Sequence, residues 1–221
     1  NYNYEFGIKG SAFDGDANIN LSFFYMQRED AQVSDFVVFT NLLEDGTPVP
    51  SFIDAIGNAD SGINKGIELA STWDLTESWY VVANLGYLDA TFGNYTKTDG
   101  SLVPKQTQAQ APKYTAYFSS TFQLRQDLNW FVDIDIKDEH RFSDGHNELA
   151  PFTAVVNTEL SWDLYPVQLK FWVKNIFDRD IFTRGFGGFS NDPRENYAIP
   201  KPYYQFGHPR QVGLTLSYTF E

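Results

Sequence analysis

Hydrophobic and polar residues alternate along most of the chain with a period of two. In the last block, Val212, Leu214, Leu216, Tyr218 and Phe220 share one parity, and Gln211, Gly213, Thr215, Ser217 and Thr219 share the other. That period is the signature of a β-strand with one apolar and one polar face. The same pattern predicts eight earlier strands. Their apolar positions are Tyr4, Phe6 and Ile8; then Ile19, Leu21, Phe23 and Tyr25; then Ile67, Leu69, Trp73 and Leu75. They continue through Trp79, Val81, Ala83, Leu85 and Tyr87, then Tyr114, Ala116, Phe118 and Phe122, then Trp130, Val132, Ile134 and Ile136. Ala154, Val156, Leu160 and Trp162, followed by Leu169, Phe171 and Val173, complete the set.

The connections alternate in length. Short turns fall at 14–16, 76–78, 125–128 and 164–166, long loops are expected over about 33–61, 93–112 and 178–208, and a medium loop over about 141–151. Most predicted strands have about ten residues or more, close to the length a tilted strand needs to cross a bilayer and about twice that typical of soluble sheets. Trp73, Trp79, Trp130 and Trp162 stand beside short turns on the apolar parity. With Tyr218 and Phe220 they form the aromatic girdle expected at a membrane interface. Glu5, Lys9, Glu68, Asp74, Asp133, Asp135, Lys137, Glu159, Asp163, Lys170 and Lys174 all fall on the other parity. An Arg or Lys on a lipid face costs about 2–4 kcal/mol at midplane, so the segregation has a physical cause. Lys65 breaks it, near a strand end from which its amine can snorkel. A soluble carbohydrate-binding β-sandwich accounts for alternation, but not for strand length, loop asymmetry and aromatic placement together.

Composition removes other classes. The net charge of −13 argues against nucleic acid, which needs a basic face. There is no cysteine, hence no disulfide or thiolate metal site, and no apolar run of about eighteen residues for a helical span. His140, His146 and His208 show no metal-ligand spacing, and no nucleophile elbow, phosphate loop or dinucleotide fingerprint is present. Gly185-Phe-Gly-Gly188 is glycine-rich, but no helix follows to present amides to a phosphate. The reading is therefore non-enzymatic, with no cofactor and no metal. The expected fold is an all-β transmembrane antiparallel up-and-down barrel. Bacterial single-chain barrels have even strand numbers and cannot leave an open edge in hydrocarbon. Nine strands over 1–221 therefore predict the C-terminal part of a larger barrel, of about twenty-two strands, the architecture of plugged outer-membrane transporters.

Four motifs sharpen this. Asn175-Ile-Phe-Asp178, followed by Arg179-Asp180-Ile-Phe-Thr-Arg184-Gly185, closes the penultimate strand; Gly207-His-Pro-Arg210 opens the last; Pro112-Lys113 and Gly66-Ile67-Glu68 enter or lie in upstream strands. In this order and register they resemble TonB-dependent outer-membrane receptors, whose corresponding exit is Asn-Leu-Phe-Asp. Glu221 departs from the family habit of ending on the aromatic residue, and nothing corresponds to the family's plug or TonB box.

The resemblance implies energised import of a scarce ligand, most often a ferric siderophore, with the C-terminus periplasmic. It implies as partners the TonB-ExbB-ExbD complex acting through the missing N-terminal region, the barrel-assembly machinery reading the last strand, outer-membrane lipid and a small imported ligand. Oligosaccharide, cobalamin and haem importers share such a wall, and a passive porin-like channel is the alternative. Loops concentrate binding residues, so Arg184, Phe186, Phe189, Tyr197, Tyr203, Tyr204 and Phe206, with Gln106, Gln108 and Gln110, are the candidate ligand contacts.

Overall fold

The protein is described by a computed structural model covering residues 1–189, 194 and 201–220. Tyr197 lies outside these. Among the described residues the regular structure is β almost throughout, with a 3-10 turn at Phe13–Gly15. In chain order the strands are β1 Tyr2–Ala12, β2 Ala17–Leu42, β3 Pro48–Thr76, β4 Trp79–Phe92, β5 Tyr95–Thr96, β6 Leu102–Val103, β7 Gln106–Thr107 and β8 Tyr114–Arg125. They continue with β9 Leu128–Lys137, β10 His140–Arg141, β11 Leu149–Ala150, β12 Thr153–Leu164, β13 Val167–Lys174, β14 Phe182–Phe189, β15 Lys201–Phe206 and β16 Gln211–Tyr218.

The principal sheet is an antiparallel meander in the order β1-β2-β3-β4-β8-β9-β12-β13-β16, with β7 paired to β4 off this path. Its nine strands are those the alternation predicts. Among the described residues β1 and β16 keep open outer edges, so the barrel is not closed. Register keeps the two faces distinct across the whole sheet. One apolar row runs Phe6, Phe23, Ile67, Tyr87, Tyr114. Another runs Trp79, Phe122, Trp130, Leu160, Phe171, Leu214. On the opposite face Lys9, Asn20, Ala70, Asn84, Tyr117 and Asp135 lie in one row. A one-residue slip would exchange every row, which is why alternation specifies register so strongly.

The short turns sit where expected. At the first, Asp14 (φ 55) and Gly15 (φ 105) supply the left-handed backbone that a tight reversal needs.

The expected long loop over 33–61 is not a loop. β2 and β3 stay paired from Ala17↔Trp73 out to Leu42↔Pro48, reversing at 43–47. Gly46 (φ 80) turns the chain and the Asp45 carboxylate accepts the Thr47 N–H at 2.9 Å. β4 stops pairing with β3 at Gly62↔Phe92, so the outer part is a two-stranded ribbon projecting roughly 45 Å beyond the sheet. Pro48 and Pro50 occupy the part of β3 whose far edge is open, where a missing N–H is tolerated. Asp30 adopts φ 50 within β2, yet the β2–β3 register continues past it from Glu29↔Ser61 to Ala31↔Ala59, and the residues beyond carry no period of two in their own sequence. The expected loop over 178–208 is likewise built around a hairpin, β14–β15. Small pairs β5–β6 and β10–β11 punctuate the other two.

A single-layer sheet has no interior of its own. The described hydrophobic core lies at the long-loop end, where Ala31, Val33 and Ala59 at the ribbon's base pack with Phe92 and Tyr95, and Val103 borders them.

Candidate functional site

The apolar face of the sheet is uncovered. Phe6, Ile67, Leu85, Phe118, Trp130, Leu160, Phe171, Leu214 and Leu216 are all exposed, a continuous apolar surface larger than a water-soluble monomer sustains. Toward the short-turn end the four tryptophans of this face each donate their indole N–H. Trp73 donates to Ser71 Oγ (3.0 Å), Trp79 to Ser120 Oγ (2.8 Å), Trp130 to Thr158 Oγ1 (2.9 Å) and Trp162 to Asp127 Oδ2 (2.9 Å). That combination of apolar body and satisfied polar tip suits a ring at a water–hydrocarbon boundary. Tyr218 and Phe220 meet edge-on, ring centroids 4.8 Å apart. Lys65, the exception to the charge segregation, reaches a partner on the same face, with its Nζ 3.3 Å from Asp89.

The opposite face carries the charges. Lys170 and Glu159 pair at 3.2 Å, and Asn157 donates to the Asp133 carboxylate at 2.8 Å. Asn20, Glu68, Asn84, Tyr117, Asp135 and Lys137 line an open trough of about 420 Å³. Glycines on this face lie under aromatic rings of the neighbouring strand. A Cβ on Gly66 would meet the Phe24 ring and the Tyr87 carbonyl, and one on Gly213 the Trp172 indole, which donates to Thr215 Oγ1 at 3.1 Å.

The Asn175-to-Asp178 motif acts as the expected strand exit. Asn175 is 3% exposed and adopts φ 52. Its Nδ2 donates to the Arg179 carbonyl (2.9 Å) and the His208 carbonyl (3.4 Å), and its Oδ1 accepts the Arg179 N–H (2.9 Å). Asp178 accepts the Arg210 N–H at 2.7 Å. The motif thus ties the departing chain to the start of β16, thirty-odd residues on.

At the long-loop end the loops fold onto one another. Gln106 Nε2 donates to the Tyr95 hydroxyl, and its Oε1 accepts from Arg141 at 2.6 Å. Gln108, 8% exposed, donates to Asn64 Oδ1 (2.7 Å) and the Thr91 carbonyl (3.0 Å). Gln110 donates to the Phe142 carbonyl at 2.9 Å. The three glutamines therefore hold loop to wall and loop to loop. Phe142 seats its ring on Gly185 of β14 and packs against Tyr204, whose hydroxyl donates to Glu148 Oε2 at 2.7 Å. The Glu148 carboxylate raises the Tyr204 phenol above its ordinary value. Phe182 packs tilted against Phe206 (4.8 Å) and edge-on against Tyr204 (5.2 Å), and Arg184 lies over the Phe186 ring at 5.1 Å. Phe186, Tyr203 and Phe206 expose their rings beside this cluster. For Phe189 only the backbone is described, paired with Lys201. Among the described residues no three His, Asp or Glu side chains come together as metal ligands would.

Sequence pattern misses Arg28, Arg141, Phe142 and Glu148, because the contacts that join them to other elements, with Gln108, Gln106, Gly185 and Tyr204, are distant in the chain. Two groups in this layer titrate abnormally. Burial lowers His146 below its ordinary value; Glu148 opposes the shift and Arg141 adds to it. Burial raises Asp144, offset by the Ala109 N–H and the Arg141 charge. A depressed histidine adds stability above its unfolded value, near pH 6.5, and that contribution is lost as pH falls through its folded value. Asp144 runs the other way, helping fully only below its ordinary value of 3.8. His146 Nδ1 accepts the Glu148 N–H at 3.3 Å, which a protonated ring cannot do. The Glu148 amide is therefore expected to exchange faster as pH falls through the lowered His146 value, below its ordinary 6.5, after correction for intrinsic rates. His146→Gln should flatten that step, as hydrogen-exchange mass spectrometry would read; an unchanged step in the variant contradicts the assignment.

A two-faced antiparallel wall, apolar outside and charged inside beneath a packed loop layer, defines part of a transmembrane β-barrel. A family model described as TonB dependent receptor-like, beta-barrel, matches residues 1–176. The chain belongs to that family, whose barrels reside in the outer membrane. No curated protein sequence matches it. The siderophore receptor PiuA from Acinetobacter baumannii is 16% identical with a TM-score of 0.70, over 97% of this chain and 27% of that one. The ferric yersiniabactin uptake receptor FyuA from Yersinia pestis is 20% identical with a TM-score of 0.70, over 99% and 30%. The copper transporter OprC is 14% identical with a TM-score of 0.66, over 99% and 30%. The chain thus spans less than a third of the length of these similar structures. Among the described residues no helix is long and apolar enough to cross a membrane.

Proposed function

We propose that residues 1–221 form the C-terminal part of the wall of a TonB-dependent outer-membrane transporter that imports a scarce ligand, a ferric siderophore in the first instance. The observation that carries this is the charged inner face roofed by interlocked loops, with an uncovered apolar face behind it. A barrel of about twenty-two strands supplies the missing partners of β1 and β16. The short-turn end, with Trp73, Trp79, Trp130, Trp162, Tyr218 and Phe220, is the periplasmic girdle. The long-loop end faces outward and offers Arg184, Phe186, Phe189, Tyr197, Tyr203 and Phe206 to ligand. Gln106, Gln108 and Tyr204 act chiefly by holding the loops. The segment performs no chemistry itself. Coupling to TonB-ExbB-ExbD runs through a plug outside it, and the barrel-assembly machinery reads β16. A similar structure described as a siderophore receptor and one described as a ferric yersiniabactin uptake receptor favour iron, and the one described as a copper transporter favours a metal cargo more broadly.

The test is uptake of iron-55 siderophore complexes by cells under iron limitation, with the gene intact, deleted, or intact in a strain lacking TonB. Uptake lost in both mutants is the expected result. Uptake that survives without TonB would make the barrel a passive, porin-like channel. Transport of cobalamin, haem or an oligosaccharide in place of iron complexes would keep the family mechanism and replace the cargo.

A further inference from the structure

The long β2–β3 ribbon leaves one strand edge open. β1 stops pairing with β2 at Tyr2↔Gln27, so among the described residues β2 runs on from Arg28 to Leu42 with β3 alone beside it. The far edge of β3 is better shielded. At the ribbon's base its Ser61 carbonyl accepts the Gly93 N–H (2.7 Å) and its Asp60 N–H donates to the Asn94 carbonyl (3.0 Å). Toward the tip Pro48 and Pro50 remove N–H donors from β3. The open stretch of β2 lacks the residues that blunt an edge: from Ala31 to Leu42 there is no proline, lysine or glycine. It carries instead Phe36-Val37-Val38-Phe39-Thr40, residue types that favour further β-pairing.

The ribbon is also short of apolar cover. Two strands alone are marginal in water and gain stability from a third strand or a packed face. The described core ends at the ribbon's base, with Ala31, Val33 and Ala59. Farther out Leu42, Leu43, Ile53 and Ile56 are exposed. Val37↔Ile53 and Val38↔Phe52 are consecutive rungs, so apolar rungs fall on both faces. The charge is one-sided. Between Arg28 and Lys65 there is no Lys or Arg, while Glu29, Asp30, Asp35, Glu44, Asp45 and Asp54 are acidic. The described ion pairs, Lys65–Asp89, Arg125–Asp127 and Lys170–Glu159, include none of these.

We infer that the open edge of β2 is a docking surface for a basic polypeptide, which adds an extended segment to the ribbon as a third strand. Main-chain hydrogen bonds along β2 supply the affinity, and the carboxylates of the ribbon set the charge of the partner. The same charge disfavours the other occupants: lipid phosphate, nucleic acid and a second acidic ribbon are all repelled. The inference rests on the proposed outward placement of the long-loop end. It adds a protein partner outside the cell, which import of a small ligand does not by itself require.

The experiment uses the intact receptor that contains this chain, purified in detergent, with synthetic peptides of about ten residues as probes, the length of a long strand. One alternates Lys and Val, one alternates Glu and Val, and one is the Lys–Val peptide with every amide N-methylated, which keeps the charge and removes the N–H donors. Each is titrated against the wild type and D35N/E44Q/D45N/D54N, with thermal melting as the folding control and hydrogen exchange over 34–42 as the local readout. The expected result is that the Lys–Val peptide binds, slows exchange over 34–42 and is weakened by salt. The charge variant should bind it at least about tenfold more weakly, and the other two peptides should not bind at the same concentration. The inference is overturned if the N-methylated peptide binds as well as its parent, which is charge adhesion without an added strand, or if the Glu–Val peptide binds equally. It is also overturned if 34–42 is protected throughout in the free receptor. A monomer in sedimentation then assigns the edge to the receptor's own chain, and a dimer assigns it to a second copy. Import of a ferric chelate stands in each of these cases, because iron-55 uptake reads it separately.

Discussion

Replacing Leu214 by arginine removes the folded receptor from the outer membrane, while arginine at Ser217 leaves it there. Leu214 lies mid-strand in β16, 69% exposed on the apolar face and opposite Phe171. An arginine at that depth costs about 2–4 kcal/mol, a large share of the net stability of about 5–15 kcal/mol that a folded domain has. Ser217 faces the other way, opposite Gln168, where a charge remains in water. Thr215 shares that inner face and should also tolerate arginine far better than Leu214. It is the less clean control, because it accepts the Trp172 indole N–H and lies opposite Lys170. Those losses amount to about 1 kcal/mol. The heat-dependent gel shift of outer-membrane fractions measures folded barrel directly. Equal band intensity for Leu214→Arg and Ser217→Arg would reverse the face assignment.

The second large effect is expected at Asn175. Asn175→Ala deletes three side-chain hydrogen bonds at a 3% exposed position. At about 1 kcal/mol each net, with about 1 kcal/mol more for a β-carbon in the left-handed region that asparagine tolerates and alanine does not, the loss is about 3–4 kcal/mol. Asn175→Gly keeps the backbone freedom and should lose about 1 kcal/mol less. Denaturant unfolding of the purified receptor provides the measurement. A change under about 0.5 kcal/mol in the alanine variant would mean that the strand exit does not depend on this side chain.

These residues also show what the chain discloses before it is folded. The wall was legible because a sheet with one face in lipid and one in water writes its register into the sequence. Phe118, Ser119, Ile134, Asp133, Val156 and Asn157 alternate locally and then align across β8, β9 and β12. The Asn175 motif was legible in part, through its bonds to Arg179 four residues on, whereas its ties to His208 and Arg210 lie more than thirty residues away. The ribbon was not. Gly46, Pro48, Pro50 and Gly57 read as loop composition, and runs such as Phe36-Val37-Val38-Phe39 carry no alternation that would have argued for a strand. The loop-end contacts were hidden for a different reason. Arg28 meets Gln108 across 80 residues, and Tyr204 meets Glu148 across 56. Such meetings are set by how the wall brings loops together, and no local period records them. Gln106 and Gln108 are candidate ligand contacts from their place in a loop, and the structure adds that each side-chain oxygen accepts from an arginine.

The most direct test of the account is a nitroxide scan along β16 in the intact receptor reconstituted in bilayers, one cysteine at a time from 211 to 218. Alternation is expected: collision with oxygen dominates at Val212, Leu214 and Leu216, and collision with a water-soluble nickel complex dominates at Gly213, Thr215 and Ser217. Accessibility that does not alternate, or alternates with the opposite parity, would contradict a strand with its apolar face in lipid and its polar face in the lumen.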